Sequence, residues 1–278
     1  MRSFSSKLNL KQHNIKLIPS IRFFFSIRKP NMSIVVRKSN ERGHADHGWL
    51  NTYHTFSFAD YYDPQFEGCG TLRVLNEDRV SPGEGFGKHP HNNFEIFSYV
   101  VSGALRHKDS MGNLESIKRG DIQFTTAGSG ITHSEFNDSD SEEVHFLQLW
   151  VFPNARGLKP GYQTKHFDDE QKKGALVKVV SPVSDPSTNE IKINQDFSMY
   201  ASILSQGQKV AHTFGTQRKG YLHLVMNKTG ASVNVVGKSG TQVTLTEGDG
   251  AFIKGEESVE IHGNGGTAEF VLCDLALT

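Results

Sequence analysis

The sequence beyond residue 70 is divided into short apolar or alternating runs that are separated by turn residues. These runs do not join into the 3.6-residue apolar period of a long helix. Strands of this length and spacing favour a β-sandwich or a β-barrel. We therefore predict an all-β fold with few short helices, one of them a single turn at 168–173. The predicted strands cover residues 71–74, 95–101, 122–126, 144–151, 176–180, 200–204, 221–225, 232–236, 242–245, 251–253 and 268–272.

A faint internal repeat runs through these strands. An apolar run leads to Gly103, and another apolar run follows Gly120, seventeen residues later. The same arrangement recurs at Gly230 and Gly248, which are eighteen residues apart. A repeat of this kind predicts a duplicated barrel unit, so we expect two β-barrels in tandem.

The boundary between the barrels is predicted in a loop-rich stretch, residues 153–174, where proline and glycine recur. We assign residues 32–160 to an N-terminal barrel and residues 161–278 to a C-terminal barrel. Residues 1–31 precede the first barrel and are treated as a leader.

The leader differs in composition from the rest of the chain. The first 32 residues hold seven of the 30 basic side chains and no acidic one, and they are rich in Ser, Phe, Ile and Leu. This composition is typical of a mitochondrial transit peptide, and its apolar runs are too short to span a membrane. We expect residues 1–31 to direct the protein to the mitochondrion. The alternative is a disordered tail, or an extension upstream of a start at Met32, with the protein in the cytoplasm or nucleus.

Charge and motif content argue against several classes of function. The chain beyond residue 32 has 23 basic and 30 acidic side chains, a net formal charge of −7, which disfavours direct binding to a nucleic-acid backbone. A Gly-x-Ser-x-Gly elbow, a phosphate-binding loop and a dinucleotide fingerprint do not stand out in the sequence. The two cysteines, Cys69 and Cys273, are too few for a disulfide scaffold and favour a reducing compartment.

Two short segments far apart in the chain favour a metal site. His89-Pro90-His91 and His133-Ser134-Glu135 each place two potential ligands at positions i and i+2. Residues two apart on an extended segment point to the same face. If both segments line one barrel, three imidazoles and one carboxylate converge, and this mixed set suits a divalent transition metal such as iron(II). Because proline has no N–H, the first segment should lie at a strand start or a sheet edge.

Other residues compete for roles near this site. Glu95 follows His91 by four residues and is an alternative carboxylate ligand, although we prefer Glu135 because it shares a segment with His133. His107 and His145 flank strands and could donate hydrogen bonds to ligands, but ordinary packing is expected for both. Trp150 and Phe97 could line an aromatic pocket near the metal, although core packing is expected for each.

These segments resemble the two motifs of the cupin superfamily. The first cupin motif is a glycine, five residues, His-x-His, three or four residues, a glutamate, six residues and a second glycine. In this chain the second glycine comes one residue late, and Thr126 stands where proline is usual in the second motif. The matching residues are Gly83, His89, His91, Glu95 and Gly103 in the first motif, and Gly120, Gly128, His133 and Asn137 in the second.

Within the cupins, the chain resembles the pirin family from about residue 37 to its C-terminal end. The segments that carry the resemblance are 48–50, 54–64, 89–91, 109–113, 126–135 and 192–196. The resemblance implies a bicupin whose N-terminal barrel binds the metal and whose C-terminal barrel is degenerate. It assigns the ligands to His89, His91, His133 and Glu135, and the usual metal to iron(II). Copper, nickel, cobalt and manganese also suit this ligand set.

The resemblance implies two kinds of activity. Members of the family include flavonol 2,3-dioxygenases and non-enzymatic transcriptional cofactors that sense the redox state of iron. We expect an enzyme that opens flavonols such as quercetin with O2, in which Glu135 is the catalytic base. The alternative is an iron-binding redox sensor or transcriptional cofactor that acts through a protein partner.

Overall fold

The computed structural model describes residues 33–277, so the leader predicted at residues 1–31, with its targeting signal, lies outside the described residues. Almost all of the regular secondary structure of the described chain is β-strand, with a 3-10 turn at Ser39–Glu41 and the α-helix α1 at Asp169–Lys172, which confirms the predicted helical turn. Within these residues, no helix has the length and apolar character needed to cross a bilayer.

The strands of the first half of the chain are β1 (Ser33–Arg37), β2 (Gly43–Asp46), β3 (Leu50–His54), β4 (Leu72–Val80), β5 (Gly85–His91), β6 (Glu95–Ser102), β7 (Ala104–Asp109), β8 (Leu114–Lys118), β9 (Asp121–Thr126), β10 (Ile131–Asn137), β11 (Val144–Val151) and β12 (Gly161–His166). Those of the second half are β13 (Val177–Pro182), β14 (Ile191–Ile193), β15 (Phe197–Leu204), β16 (Lys209–Thr213), β17 (Arg218–Leu224), β18 (Ser232–Gly237), β19 (Gln242–Thr246), β20 (Gly250–Lys254), β21 (Ser258–Gly265) and β22 (Ala268–Ala276).

Each barrel consists of a seven-stranded sheet and a four-stranded sheet. In the first barrel the strand orders are β12-β9-β6-β11-β4-β3-β2 and β5-β10-β7-β8. In the second they are β1-β20-β17-β22-β15-β13-β14 and β16-β21-β18-β19. The prediction of an all-β fold with two barrels in tandem is therefore confirmed.

The internal repeat corresponds to this topology, because β4–β11 and β15–β22 follow the same path through the two pairs of sheets. Gly103 lies between β6 and β7, and Gly230 lies between the equivalent strands β17 and β18. Both adopt left-handed backbone conformations, with φ of 77° and 69°. Such a φ is strained for a residue with a side chain, which explains why glycine recurs at this turn.

Two strands pair with the barrel on the other side of the boundary that was predicted between residues 160 and 161. Strand β12 pairs with β9 and so extends the large sheet of the first barrel. Strand β1 pairs with β20, the counterpart of β9, and occupies the equivalent edge of the second barrel. The division between the sheets therefore does not follow the order of the chain.

The large sheets of the two barrels pack against each other and bury a shared apolar core. Strand β11 shows how one strand serves this core and the barrel interior, because alternate side chains point to opposite faces. Leu147 and Leu149 are buried in the shared core with residues of the second barrel such as Phe197. Gln148 and Trp150 point the other way and line a cavity inside the first barrel.

The interiors of the two barrels differ in chemistry. The second barrel is filled by an apolar cluster that draws on both of its sheets, including Leu222, Val233, Leu245 and Ile261. The corresponding cluster in the first barrel fills only part of the interior, and the rest is occupied by polar side chains around a cavity.

A buried carboxylate, Glu77 on β4, connects the two barrels. It accepts hydrogen bonds from His145 Nε2 in the first barrel (2.9 Å) and from His223 Nε2 in the second (2.9 Å). The backbone N–H of Met226 (2.7 Å) and the guanidinium of Arg42 (3.3 Å) complete its surroundings. Burial by itself would raise the pKa of Glu77, but these hydrogen bonds and the charge of Arg42 hold it well below its usual range. The junction therefore contains a buried, paired charge.

Replacing Glu77 with glutamine should destabilise the protein strongly. Glutamine keeps the shape of the side chain but leaves the buried guanidinium of Arg42 without its counter-charge, and removal of one partner from a buried ion pair costs about 3–5 kcal/mol. The measurement is urea unfolding followed by circular dichroism. The matched control is Glu143→Gln, which breaks the half-exposed pair with Arg79 and should change stability by less than about 1 kcal/mol. Equal unfolding midpoints for the two variants would contradict the proposed importance of the junction.

Candidate metal centre

The three predicted histidine ligands converge inside the first barrel. His89 and His91 lie on β5, and His133 lies on the neighbouring strand β10, where it pairs directly with His89. The ring centroids of the three imidazoles are 4.5–4.8 Å apart. Strand β5 forms an edge of its sheet, as the proline in this segment predicted.

The spacing of the imidazole nitrogens fits an ion at their centre. The Nε2 atoms of His89 and His133 are 3.0 Å apart. Two ligand atoms that meet an ion at a right angle, with bonds of about 2.1 Å, would also be about 3.0 Å apart. The distance is therefore compatible with a shared metal, and the ligand roles stay a prediction.

Two of the three histidines, His91 and His133, are held in the form that binds metals. Burial, followed by the neighbouring His133 and His89, lowers the pKa of His91 to about 4. Burial likewise lowers the pKa of His133. Neutral imidazoles with a free nitrogen lone pair therefore predominate at neutral pH, and only that form coordinates a metal.

Glu135, the predicted carboxylate ligand, lies beside this group on β10. A carboxylate oxygen of Glu135 lies within 4.8 Å of nitrogens of His133 and His107. Ser98 Oγ donates a hydrogen bond to its Oε1 (3.0 Å), and Gln148 Nε2 donates to its Oε2 (2.9 Å). Each oxygen keeps a further lone pair, so the carboxylate is oriented by two donors and can still bind an ion or accept a proton.

Sequence reasoning missed both of these donors. Ser98 and Gln148 are directly paired across β6 and β11, so their side chains point together into the barrel. The available signal was the polar residue placed in the middle of each apolar strand, which is unfavourable in a core unless it has a partner.

His107 is closer to the site than the sequence suggested. It is fully buried, its ring centroid is 5.3 Å from that of His133, and its Nε2 lies 3.3 Å from Asp109 Oδ2. His107 is therefore buried in the core, as expected, and it also lies beside the candidate ligands, the alternative that the sequence left open. Its position results from the pairing of β7 with β10, which sets His107 opposite Glu135.

The alternative ligand, Glu95, is directed away from the histidines. Its Oε2 accepts hydrogen bonds from the backbone N–H (3.0 Å) and the side-chain amide (3.2 Å) of Asn194, and from Thr126 Oγ1 (3.3 Å). Because Asn194 belongs to the second half of the chain, Glu95 joins the barrels and does not enter the histidine cluster.

A cavity of about 220 Å³ opens onto the candidate ligands. Its apolar walls are formed by Phe58, Phe86, Ile96 and Trp150. The Trp150 ring stands edge-on to His91, with centroids 4.8 Å apart, so Trp150 lines the pocket, which is the alternative that the sequence left open. Phe97 packs as expected, stacked between Phe124 and Phe197 in the shared core. The aromatic side chains of the cavity offer ring contacts to a planar apolar molecule.

A second carboxyl group, Asp78, also lines the cavity and was not singled out from the sequence. Burial raises its pKa to about 7; a hydrogen bond with Thr52 opposes this shift, and the nearby charge of Glu135 adds to it. Asp78 therefore holds a proton over much of the acidic pH range.

Comparison with known proteins places these features in a family. A family model described as Pirin matches residues 35–151, and one described as the quercetinase C-terminal cupin domain matches residues 178–275. A quercetin 2,3-dioxygenase of Escherichia coli strain K12 is 41% identical over 242 residues, which are 87% of this chain and 98% of that protein. A pirin-like protein of Caulobacter vibrioides is 38% identical over 234 residues, 84% of this chain and 96% of the relative.

A solved structure agrees with these relatives. The crystal structure of the bacterial pirin YhhW of Escherichia coli in complex with nickel(II) superposes with a TM-score of 0.79 at 37% sequence identity. The match covers 88% of this chain and all of that chain (100%). Both barrels are therefore shared with the relative.

Removing two of the candidate ligands should abolish metal binding. We expect about one equivalent of iron(II) or nickel(II) per chain in the wild-type protein after loading and desalting, and less than about a tenth of that in the His89→Ala, His133→Ala double variant. Elemental analysis of the purified proteins measures this. His166→Ala is the control, because His166 is 60% exposed and pairs only with Asp121. A double variant that binds as much metal as the control would show that the ion lies elsewhere.

The stability of the metal-free protein should depend on pH through Asp78. Its carboxyl group has a pKa of about 7 when folded and 3.8 when unfolded. Between these two pH values the folded state binds more protons than the unfolded state, so the free energy of unfolding falls as the pH rises. The contribution of protonated Asp78 to stability is therefore fully present below pH 4 and is lost as the pH rises through 7. Relative to Asp78→Asn, wild-type stability should fall by up to about 4 kcal/mol from pH 4 to pH 8 in urea unfolding. Parallel stability curves would contradict the shifted pKa.

Proposed function

This chain belongs to the pirin family, and on that premise we propose that it is a metal-dependent dioxygenase that opens flavonols such as quercetin with O2. The observation that carries the proposal is a cavity with aromatic walls that is lined by the three clustered imidazoles of His89, His91 and His133 and by the oriented carboxylate of Glu135. Relatives named quercetin 2,3-dioxygenase support the substrate class.

The cavity suits the shape of a flavonol. Its aromatic walls offer edge and face contacts to a flat ring system, which is the usual basis for binding aromatic ligands. The cavity has a volume of about 220 Å³ and is smaller than most ligand pockets. A three-ring flavonol would therefore occupy all of it. The close contact of Trp150 with His91 brings the apolar wall next to the candidate ligands.

The proposed chemistry begins with the 3-hydroxyl group of the flavonol. Glu135 accepts its proton at a carboxylate oxygen, and the hydrogen bonds from Ser98 and Gln148 hold that carboxylate in place as it does so. When bound, the metal supplies a Lewis acid for the ionised substrate and a path for electrons to O2. The apolar walls exclude water from the reactive enolate.

We propose iron(II) as the working metal. A site of histidine nitrogens and one carboxylate oxygen is typical of non-haem iron enzymes that use O2. The nickel(II) complex of the Escherichia coli relative supports a divalent ion in this family. Protein loaded with iron(II) should therefore turn over quercetin faster than protein loaded with nickel(II).

The test is quercetin loss and O2 uptake by purified, iron-loaded protein. Replacing Glu135 with glutamine keeps the size of the side chain and removes the base, so we expect turnover to fall at least about 100-fold. Elemental analysis of the same samples separates loss of the base from loss of the metal.

His166→Ala is the control and should retain wild-type turnover, because its side chain is outside the cavity. Quercetin loss by the wild-type protein at no more than the Glu135→Gln rate would overturn the proposed function. Equal or faster turnover with nickel(II) would overturn the proposed metal alone.

A further inference from the structure

Besides Nδ1 of the candidate ligand His133, three polar atoms of side chains that line the cavity have no hydrogen-bond partner among the described residues. They are Asp78 Oδ1, Gln148 Oε1 and Trp150 Nε1, and all three are buried. Their side chains line the same cavity as the candidate metal ligands. A buried polar atom without a partner is unfavourable and uncommon, so a group that supplies the missing hydrogen bonds would be bound there.

The placement of these side chains follows from two paired strands. Gln148 and Trp150 are two residues apart on β11 and therefore point into the barrel together, while the leucines between and before them enter the shared core. Asp78 lies on β4, directly opposite Phe146 of β11. The three side chains thus form one contiguous wall, on the sheet that faces the histidines of β5 and β10.

The chemistry of the three atoms restricts what they can bind. The indole N–H of Trp150 is only a donor, and the amide oxygen of Gln148 is only an acceptor. The carboxyl group of Asp78 accepts a hydrogen bond when it is ionised and can donate one when it is protonated. A hydroxyl group both donates and accepts, so it satisfies this set, whereas an unsubstituted hydrocarbon ring does not.

We infer that Asp78, Gln148 and Trp150 form a second recognition element that binds hydroxyl groups of a polyphenol other than the group presented to the metal. This inference rests on the proposed function and makes it more specific. The preferred substrates are then polyhydroxylated flavonols, and a flavonol that carries only the 3-hydroxyl group is bound less well. The recognition element determines specificity and does not itself take part in opening the ring.

The experiment measures binding without turnover. Metal-loaded protein is titrated in the absence of O2 with quercetin, which has hydroxyl groups on its outer rings, and with 3-hydroxyflavone, which has none. Trp150→Phe removes the N–H but keeps an aromatic ring, and Asp78→Leu removes the carboxyl group at similar volume. Gln148 is left intact because it also orients Glu135.

The control variant is Ser202→Ala. Ser202 is fully buried, and its Oγ also has no hydrogen-bond partner among the described residues, but it belongs to the second barrel and does not line the cavity. It therefore reports the effect of removing a buried polar atom as such. Circular dichroism and metal content establish that each variant is folded and loaded.

We expect Trp150→Phe to weaken quercetin binding about fivefold, which corresponds to the loss of one neutral hydrogen bond. We expect Asp78→Leu to weaken quercetin binding about tenfold or more. The affinity for 3-hydroxyflavone should stay within about twofold in both variants, and Ser202→Ala should match the wild type. If both flavonols lose affinity equally, or neither does, the three atoms are satisfied by water and the inference is overturned while the proposed function stands. If the wild-type protein binds neither flavonol, the proposed function itself is overturned.

Discussion

The site depends on the hydrogen-bonded register between β5 and β10. His133 pairs with His89. A bulge follows this pair, in which two residues of β5, 87 and 88, lie opposite Ser134 of β10. The next pair is Glu135 with Phe86. A shift of one residue in either strand would turn the ligands outward, because side chains alternate between faces. The backbone pairing therefore decides whether the three imidazoles and the carboxylate all line the same cavity.

The two barrels show what the same topology does with different interiors. In the second barrel, residues such as Val233 and Ile261 on the small sheet meet apolar side chains on the large sheet, and the interior closes. In the first, Ser98 and Gln148 oppose Glu135, and each of these polar groups is favourable only because the others satisfy it. Gln148 and Glu135 line the cavity, which lies where the interior of the first barrel is polar.

Much of this could be predicted from the sequence. The two segments around His89 and His133 indicated the histidine cluster because their spacing of two is a local property of extended chain. The repeated glycines likewise indicated two equivalent barrels. The roles of Gln148, His107 and Asp78 could not be predicted, because each depends on which strand lies beside its own, and strand neighbours are set by contacts between distant parts of the chain.

The edge strand β1 has a consequence for how the molecule is made. It is among the first parts of the described chain to leave the ribosome, yet its partner β20 is synthesised about 200 residues later, since Ser33 pairs with Lys254. At usual elongation rates β1 waits about 10–40 s before it can pair. Throughout that interval β1 lacks the strand it pairs with in the folded protein, so a factor that acts on nascent chains can meet β1 before the second barrel closes.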